Sequence, residues 1–160
     1  MSYTTTYNSP IGTIIIESDG KVLTGLRFAD NAGTDLVSVP INQPQDNEAK
    51  AIFAEVRRWL DDYFAGRQPC RVPRMNPPGT DFQRRVWQRL LTIGYGQTRT
   101  YSEIARMVGC RSARAVGQAI GRNPIALIIP CHRVIGADGS LTGYAYGIDR
   151  KKRLLELEKK

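Results

Sequence analysis

The stretch Ile125-Ala126-Leu127-Ile128-Ile129-Pro130-Cys131-His132-Arg133-Val134-Ile135 decides how this chain is read. Five apolar residues in a row, with no charge among them, predict a segment buried on every side, a strand or other extended piece. Pro130 ends the run, and a cysteine followed at once by the chain's single histidine stands at its edge. A free thiol titrates near ~8.5, so only a few per cent is thiolate at neutral pH. Activation needs a base or a cationic neighbour, and His132 is the one conventional base at hand. Neighbours on an extended chain point to opposite sides, so the pair needs a bridging water or a sharp turn to cooperate. A carboxylate orienting the imidazole would complete a relay, and Glu158 near the chain's end is one candidate. Taken alone, such a pair is more often a buried structural thiol beside a satisfied imidazole.

Working outward toward the N-terminus, Asn123-Pro124 separates this stretch from two short helices. Thr100-Tyr101-Ser102-Glu103 has capping-box form and opens the first, which Gly109 closes. Ser112 can cap the second, from Ala113 to Ile120. Two short helices joined by a brief turn containing glycine predict a helix-turn-helix. On a helical wheel the second helix turns Ala113, Val116, Ala119 and Ile120 inward and Arg114, Gly117, Gln118 and Gly121 outward. An outer face of one long cation, one amide and two glycines suits close approach to a sugar-phosphate backbone, or packing on a neighbouring element. Before it, Thr80 caps a helix from Asp81 to Leu91 with Phe82, Val86, Trp87, Leu90 and Leu91 as its core stripe.

Toward the C-terminus, Val134-Ile135-Gly136, a turn at Ala137-Asp138-Gly139-Ser140 and Leu141-Thr142-Gly143-Tyr144 read as a hairpin-like wing. Asp149 is the expected cap of a final helix in which Leu154, Leu155 and Leu157 are apolar. The cationic run Lys151 to Arg153 reads as solvating that helix rather than touching phosphate.

The first third of the chain is different in kind. Tyr7 to Glu17 holds the β-branched run Thr13-Ile14-Ile15-Ile16, and Asp19-Gly20 turns it into a second strand, Val22 to Phe28. Residues 31–47 are turn-rich and weakly patterned. A helix follows from Asn47 to Phe64, with Ile52, Val56, Trp59, Leu60 and Tyr63 at helical spacing and Gly66 as its stop. Arg67 to Gly79, with its prolines and no periodicity, is the expected linker. Two domains result, 1–78 as an α/β scaffold and 79–160 as the part carrying the chemistry.

Charge divides along the same line. Residues 79–160 hold 15 Lys and Arg against 6 Asp and Glu, whereas residues 1–78 hold 8 against 9. The whole excess of the +8 chain therefore lies in the C-terminal half, as a polyanion-binding module beside a neutral partner would have it. Three cysteines at irregular spacing argue against a disulfide framework, and with one histidine they give little to hold a metal. No metal and no cofactor are expected. No run of about 18 apolar residues offers a membrane span. The polar N-terminus lacks a signal pattern, so a cytoplasmic protein is expected.

Ile129-Pro130-Cys131-His132-Arg133-Val134-Ile135 resembles the active-site signature of the O6-alkylguanine-DNA alkyltransferases. The setting is similar to theirs in order: Thr80-Asp81-Phe82-Gln83, Tyr101, Ala113-Arg114-Ala115-Val116-Gly117, Asn123-Pro124, Gly143-Tyr144 and Leu154-Leu155 to Glu158. The match covers residues 79–158, with Ser9-Pro10-Ile11-Gly12 a looser likeness to the family's N-terminal domain. The resemblance implies an α+β fold, an N-terminal ribonuclease H-like α/β domain followed by a C-terminal winged helix-turn-helix-like domain. It implies direct, irreversible, stoichiometric transfer of an alkyl group, methyl above all, from O6 of guanine to Cys131 after base flipping, with O4 of thymine left open as a second source. His132 would be the base through a water, Glu158 its orienting group and Asn123 a hinge between the helix-turn-helix and the active-site strand. Arg114 would fill the gap left by the flipped nucleotide. Tyr101 would rotate the 3′ phosphate and hydrogen-bond the guanine. Ala113, Ala115 and Gly117 would line a minor-groove contact with double-stranded DNA. Ile120, Tyr144, Ala145 and Tyr146 would wall the base pocket. A monomer is expected, with cooperative binding along DNA left open.

The chemistry is consistent with these roles. An alkyl group inside the stacked duplex is out of reach of a protein thiolate, so the base must be extruded, which is easiest for a mispaired base. The thioether product has no good leaving group, so one protein repairs one lesion. The chain departs from the family at Tyr144-Ala145-Tyr146-Gly147: Tyr146 is bulky where the family commonly has glycine, which predicts a narrower pocket. The zinc ligands of some members have no counterpart, and neither has their fused phosphotriester-sensing domain, so no transcriptional role is expected. Three other readings compete: a damage-binding module of the same fold, a cysteine hydrolase and a plain helix-turn-helix regulator. The first lacks an acceptor cysteine. The second would turn over and has no need of a basic half. The third leaves Pro130 to Arg133 without purpose.

Overall fold

The computed structural model describes residues 2–30, 41–141 and 143–159. The chain divides into two compact units, Met1–Pro78 and Gly79–Lys160.

In the first unit, β1 (Tyr3–Ser9), β2 (Gly12–Ser18) and β3 (Leu23–Phe28) form an antiparallel meander in that order. Pro10-Ile11 is a two-residue turn closed by the Ser9–Gly12 pair, so the stretch predicted as one strand from Tyr7 is two, and the first begins at Tyr3. Thr4, Thr5 and Thr6 hide that strand from an apolar pattern, although β-branched threonine favours the pleat. Ile14, Ile15 and Ile16 are all buried, so β2 is covered on both faces. The helix α1 (Asn47–Phe64) follows, capped by Asp46, whose carboxylate accepts from the Ala49 N–H at 2.9 Å. Its predicted stripe is buried, together with Ala49 and Phe53. Arg57 ties α1 to β1 by donating to the Thr5 hydroxyl at 2.9 Å and the Thr6 carbonyl at 2.8 Å. Arg67 to Gly79 is more than a linker. The Leu23 N–H donates to the Arg74 carbonyl and the Asn76 N–H to the Leu23 carbonyl, both at 2.9 Å, so this segment is stitched to β3. Of the turn-rich segment 31–47, residues 31–40 lie outside the described residues.

In the second unit, α2 (Asp81–Leu90), α3 (Tyr101–Met107) and α4 (Ala113–Gly121) pack on one another. Thr80 with Gln83 and Thr100 with Glu103 form capping boxes, and Ser112 caps α4. Caps of this kind stabilise by about 1 kcal/mol each. Gly109 turns the chain between α3 and α4 at φ +68°, a conformation that glycine adopts without strain. The indole N–H of Trp87 donates to the Ala119 carbonyl at 2.9 Å, fixing α2 against α4. Val116, Ala119 and Ile120 face the core, but Ala113, expected inward, is exposed in the first turn of α4. Leu91 also lies at the surface, at the end of α2.

The stretch Ile125 to Ile129 is buried throughout yet forms no strand. It winds through consecutive turns, with the Ile128 N–H on the Ala126 carbonyl at 2.8 Å and the Ile129 N–H on the Ile125 carbonyl at 3.1 Å. Leu127 sits at φ +70°, the one non-glycine residue with positive φ among those described. Residues Cys131–Arg133 form a single 3-10 turn, and β5 (Val134–Ile135) follows. The partner of β5 is β4 (Arg99–Thr100), in parallel, rather than a strand of a wing hairpin. The predicted turn after Ile135 does close, by the Gly136 N–H on the Ser140 carbonyl at 2.9 Å. Thr142 of the wing lies outside the described residues. The last helix, α5 (Ile148–Glu158), starts after Gly147, and Asp149 is inside its first turn rather than at its cap.

Candidate active site

The site is built on the turn that replaces the expected strand. Asn123 holds that turn from inside: its amide donates to the Ile129 carbonyl at 2.8 Å and its oxygen accepts from the Ile125 N–H at 3.0 Å. Both bonds are buried, so losing either strands a polar group without water. The Cys131 N–H donates to the Ile129 carbonyl at 2.8 Å, which turns the chain sharply where an extended run was expected. Cys131 and His132 therefore leave a helical turn, not a strand with opposed side chains.

His132 is fully buried, and its Nε2 lies 2.5 Å from Glu158 Oε2. The other carboxylate oxygen of Glu158 accepts from Arg133 Nε at 2.7 Å and from the Gly96 N–H at 3.3 Å. Arg133 in turn donates to the Ile93 carbonyl at 2.7 Å, so its guanidinium is fixed at both ends. Burial alone would push the Glu158 carboxyl up. The His132 and Arg133 bonds more than reverse that and bring it to about 2. Burial pushes the His132 imidazole down despite Glu158. The resting pair is thus a carboxylate and a neutral imidazole. With Nε2 committed to Glu158, proton exchange with other groups falls to Nδ1.

Cys131 lines a small cavity with Ile120, Gly121, Asn123, Gly143, Tyr144, Ala145 and Tyr146. Burial pushes its thiol up, opposed by the Asn123 side chain, by Lys151 and by the N–H groups of Cys131 and His132. The cavity encloses only about 10 Å³, space for one water at most. Tyr144 and Tyr146 close it, their rings packed edge to face with centroids 5.5 Å apart. The Tyr144 hydroxyl is buried without a hydrogen-bond partner in the described structure. Gly143 and Gly147 bracket this segment at φ +84° and +102°. Tyr101 reaches the same place from α3. A Cβ built on Gly143 would stand 2.9 Å from its hydroxyl, and one on Gly117 would stand 3.9 Å from its ring.

Ile120, Asn123, Tyr144, Ala145, Tyr146 and Cys131 are thus brought round one cavity, His132 and Glu158 are bonded, and Tyr101 abuts the cavity's edge. Arg114, Ala113 and Ala115 are not among the residues lining the cavity, and on α4 Arg114, Ala113 and Gln118 are exposed.

Comparison of the whole chain with known proteins shows its family. The family model for the DNA binding domain of 6-O-methylguanine DNA methyltransferase matches residues 81–160, and that for the ribonuclease-like domain matches residues 2–71. The chain belongs to the 6-O-methylguanine DNA methyltransferase family. Methylated-DNA–protein-cysteine methyltransferase of Mycobacterium leprae is 50% identical over 153 residues, covering 95% of this chain and 89% of that protein. The protein of that name from Methanosarcina acetivorans is 46% identical over 98% of this chain and 97% of its own length. Among solved structures, the O6-methylguanine methyltransferase of Mycobacterium tuberculosis superposes with a TM-score of 0.85 at 48% identity, covering 99% of this chain and 93% of that one. A structure described as Mycobacterium tuberculosis OGT in complex with DNA gives 0.84 at 47% identity, covering 98% and 92%.

Two residues of this 6-O-methylguanine DNA methyltransferase family member escaped the sequence reading. Arg133 lies inside the quoted signature, and a cation amid apolar neighbours was the available signal. Lys151 was assigned to solvent, but it is 1% exposed and donates to the Val134 carbonyl at 2.6 Å. The buried face of α5 is Lys151, Leu154 and Glu158, at spacings of three and four, so a wheel drawn on α5 would have found both ends. Among the described residues no group of His, Cys, Asp and Glu is placed to hold a metal ion. No described helix is long and apolar enough to cross a membrane.

Proposed function

We propose that this chain repairs alkylated DNA by moving an alkyl group from O6 of guanine onto Cys131. The observation that carries the reading is the placement of Cys131 on a cavity wall, in one turn with a His132 that Glu158 orients. The Cys131 proton passes to neutral His132, and the imidazolium so formed is stabilised by the Glu158 carboxylate. The sulfur attacks the alkyl carbon, the C–O6 bond breaks, and guanine leaves with its charge relieved by hydrogen bonding, for which the Tyr101 hydroxyl, beside Gly143 at the cavity's edge, is the proposed donor. The thioether offers no leaving group, so each molecule acts once.

The target base is out of reach in the stack, so it is flipped into the pocket. Asn123 ties the helix-turn-helix to the acceptor turn, and Ile120, Tyr144, Ala145 and Tyr146 wall the pocket. The small outer face of α4, through Ala113, Ala115 and Gly117, sits in the minor groove of double-stranded DNA, Arg114 enters the stack, and Tyr101 rotates the 3′ phosphate. The excess of nine basic residues in the second unit draws the phosphates. The first unit acts as scaffold for the second. The protein works as a monomer in the cytoplasm and needs no cofactor.

The test is incubation with duplex DNA carrying O6-methylguanine, followed by intact-mass measurement. A single methyl increment, absent from Cys131→Ser, is the expected result. An unmodified protein that binds the lesion would make it a damage-binding module. Repeated turnover would make it a hydrolase.

A further inference from the structure

Lys151 occupies a position that a helix so rich in charge does not require of it. Taking an ammonium out of water is unfavourable by several kcal/mol unless partners compensate, yet Lys151 is 1% exposed while its neighbour Lys152 is at the surface. Its Nζ is 2.6 Å from the Val134 carbonyl and 5.9 Å from the centre of the Tyr101 ring. The two polar ends of the buried α5 face thus grip the acceptor turn from both sides: Glu158 holds His132 and Arg133, and Lys151 holds Val134. Tyr101 abuts Gly143, and Gly143 lines the cavity with Cys131.

We infer that Lys151 is a positioning residue of the transfer site whose ammonium, anchored on the Val134 carbonyl, supplies the buried positive charge that stabilises the Cys131 thiolate as the S–H proton leaves. The inference rests on Cys131 being the acceptor. Among the described residues, Lys151 faces the Val134 carbonyl from β5 and the Tyr101 ring from α3, and couples electrostatically to Cys131 and His132 of the 3-10 turn. Burial and Cys131 both push Tyr101 up, so it stays a neutral phenol. The Glu158 charge is taken up by His132 and Arg133. Cys131 is a group able to become an anion and is coupled electrostatically to Lys151. The interaction is mutual: Lys151 lowers the thiol, and Cys131 opposes the fall that burial imposes on Lys151. Lys151 also helps keep His132 neutral and ready to accept the thiol proton. Through the transfer the S–H proton goes to His132, the S–C bond replaces it, and Lys151 keeps its own three protons.

The experiment measures iodoacetamide alkylation of Cys131 against pH in the full chain without DNA, read by peptide mass, with exposed Cys70 as internal control. In Lys151→Gln, which keeps a donor but loses the charge, and in Lys151→Met, the half-maximal pH rises by about one unit or more, the usual influence of one nearby charge. Cys70 is unmoved. A Cys131 profile in Lys151→Gln that superposes on wild type overturns the inference. Should both variants lose their near-UV circular dichroism, the wild-type fold reads the same coupling in reverse, because linkage is reciprocal. NMR titration of the Lys151 ε-methylene then shifts to lower pH in Cys131→Ser, and an unchanged titration overturns the inference. Failure of methyl transfer from damaged duplex, with the thiol shift intact, would remove the repair reading alone.

Discussion

His132 Nε2 and Glu158 Oε2 are 2.5 Å apart, 26 residues apart in sequence and shut away from solvent together. The carboxylate fixes the ring nitrogen that faces it and would stabilise the imidazolium formed when the thiol gives up its proton. Glu158→Gln keeps the shape and loses the charge. Single-turnover methyl transfer should slow by about 10²-fold or more, the usual scale of positioned acid–base catalysis. DNA affinity should hold. An unchanged transfer rate would remove Glu158 from the relay.

The same pair sets a pH dependence of stability. Glu158 falls to about 2 in the fold from an ordinary value of 4.5, so its contribution is whole above 4.5 and is lost as pH falls toward 2. His132 is pushed down from 6.5, so the unfolded chain takes up its proton first, and stability declines as pH falls below 6.5. Both act in the same direction. Urea midpoints should drop from pH 7.5 to pH 5 and faster below pH 4.5, by roughly 3 kcal/mol for the carboxylate alone at full protonation. Glu158→Gln should flatten the lower limb. Equal acid sensitivity in that variant would place the effect elsewhere.

Tyr146 packs against Tyr144 beside the Cys131 cavity, which at about 10 Å³ is too small for a base as it stands. Removing the ring in Tyr146→Gly should favour large substituents. The ratio of benzyl to methyl transfer rates should rise about tenfold, in the range over which apolar pockets sort substrates. No relative gain for benzyl would show that Tyr146 does not set the pocket's width.

Tyr144 carries a buried hydroxyl that finds no partner within the described structure. Tyr144→Phe takes away a polar atom deprived of water while preserving the ring that packs on Tyr146. The free protein should gain about 1 kcal/mol in urea unfolding. A loss of stability would mean that the hydroxyl is satisfied in solution.

Arg114 is exposed on α4 and outside the cavity lining. Arg114→Ala should leave iodoacetamide reactivity of Cys131 unaltered yet slow methyl transfer from duplex DNA. Binding of the wild type should weaken steeply with added salt, since basic side chains displace condensed counterions. Affinity flat between low and physiological salt would contradict the electrostatic grip.

What the sequence displayed, and what it hid, follow from how local each cause is. Thr80, Thr100 and Ser112 were readable as caps because capping is settled within four residues. The helix Asn47–Phe64 was readable because one periodic stripe meets one core. The run Ile125 to Ile129 misled because a segment buried on all sides needs no alternation, and its turns depend on Asn123 and on the positive φ of Leu127. Lys151 misled because its run of basic neighbours resembles a solvated face, while the carbonyl it serves lies 17 residues away. His132 with Glu158 could be nominated from chemistry, but Arg133 as the second anchor of that carboxylate is visible only in three dimensions.

The ladder between Arg99–Thr100 and Val134–Ile135 is two residues long, yet of all the pairings in this unit it has the most telling address. One strand runs straight into Tyr101 and the first helix of the helix-turn-helix, and the other emerges straight from Cys131-His132-Arg133. Under the proposed function, a pull on α3 would reach the orientation of the sulfur through a seam with no slack residues on either side. Gripping and chemistry would then share a single bearing, and a spacer residue placed between Arg133 and Val134 would let one turn without the other.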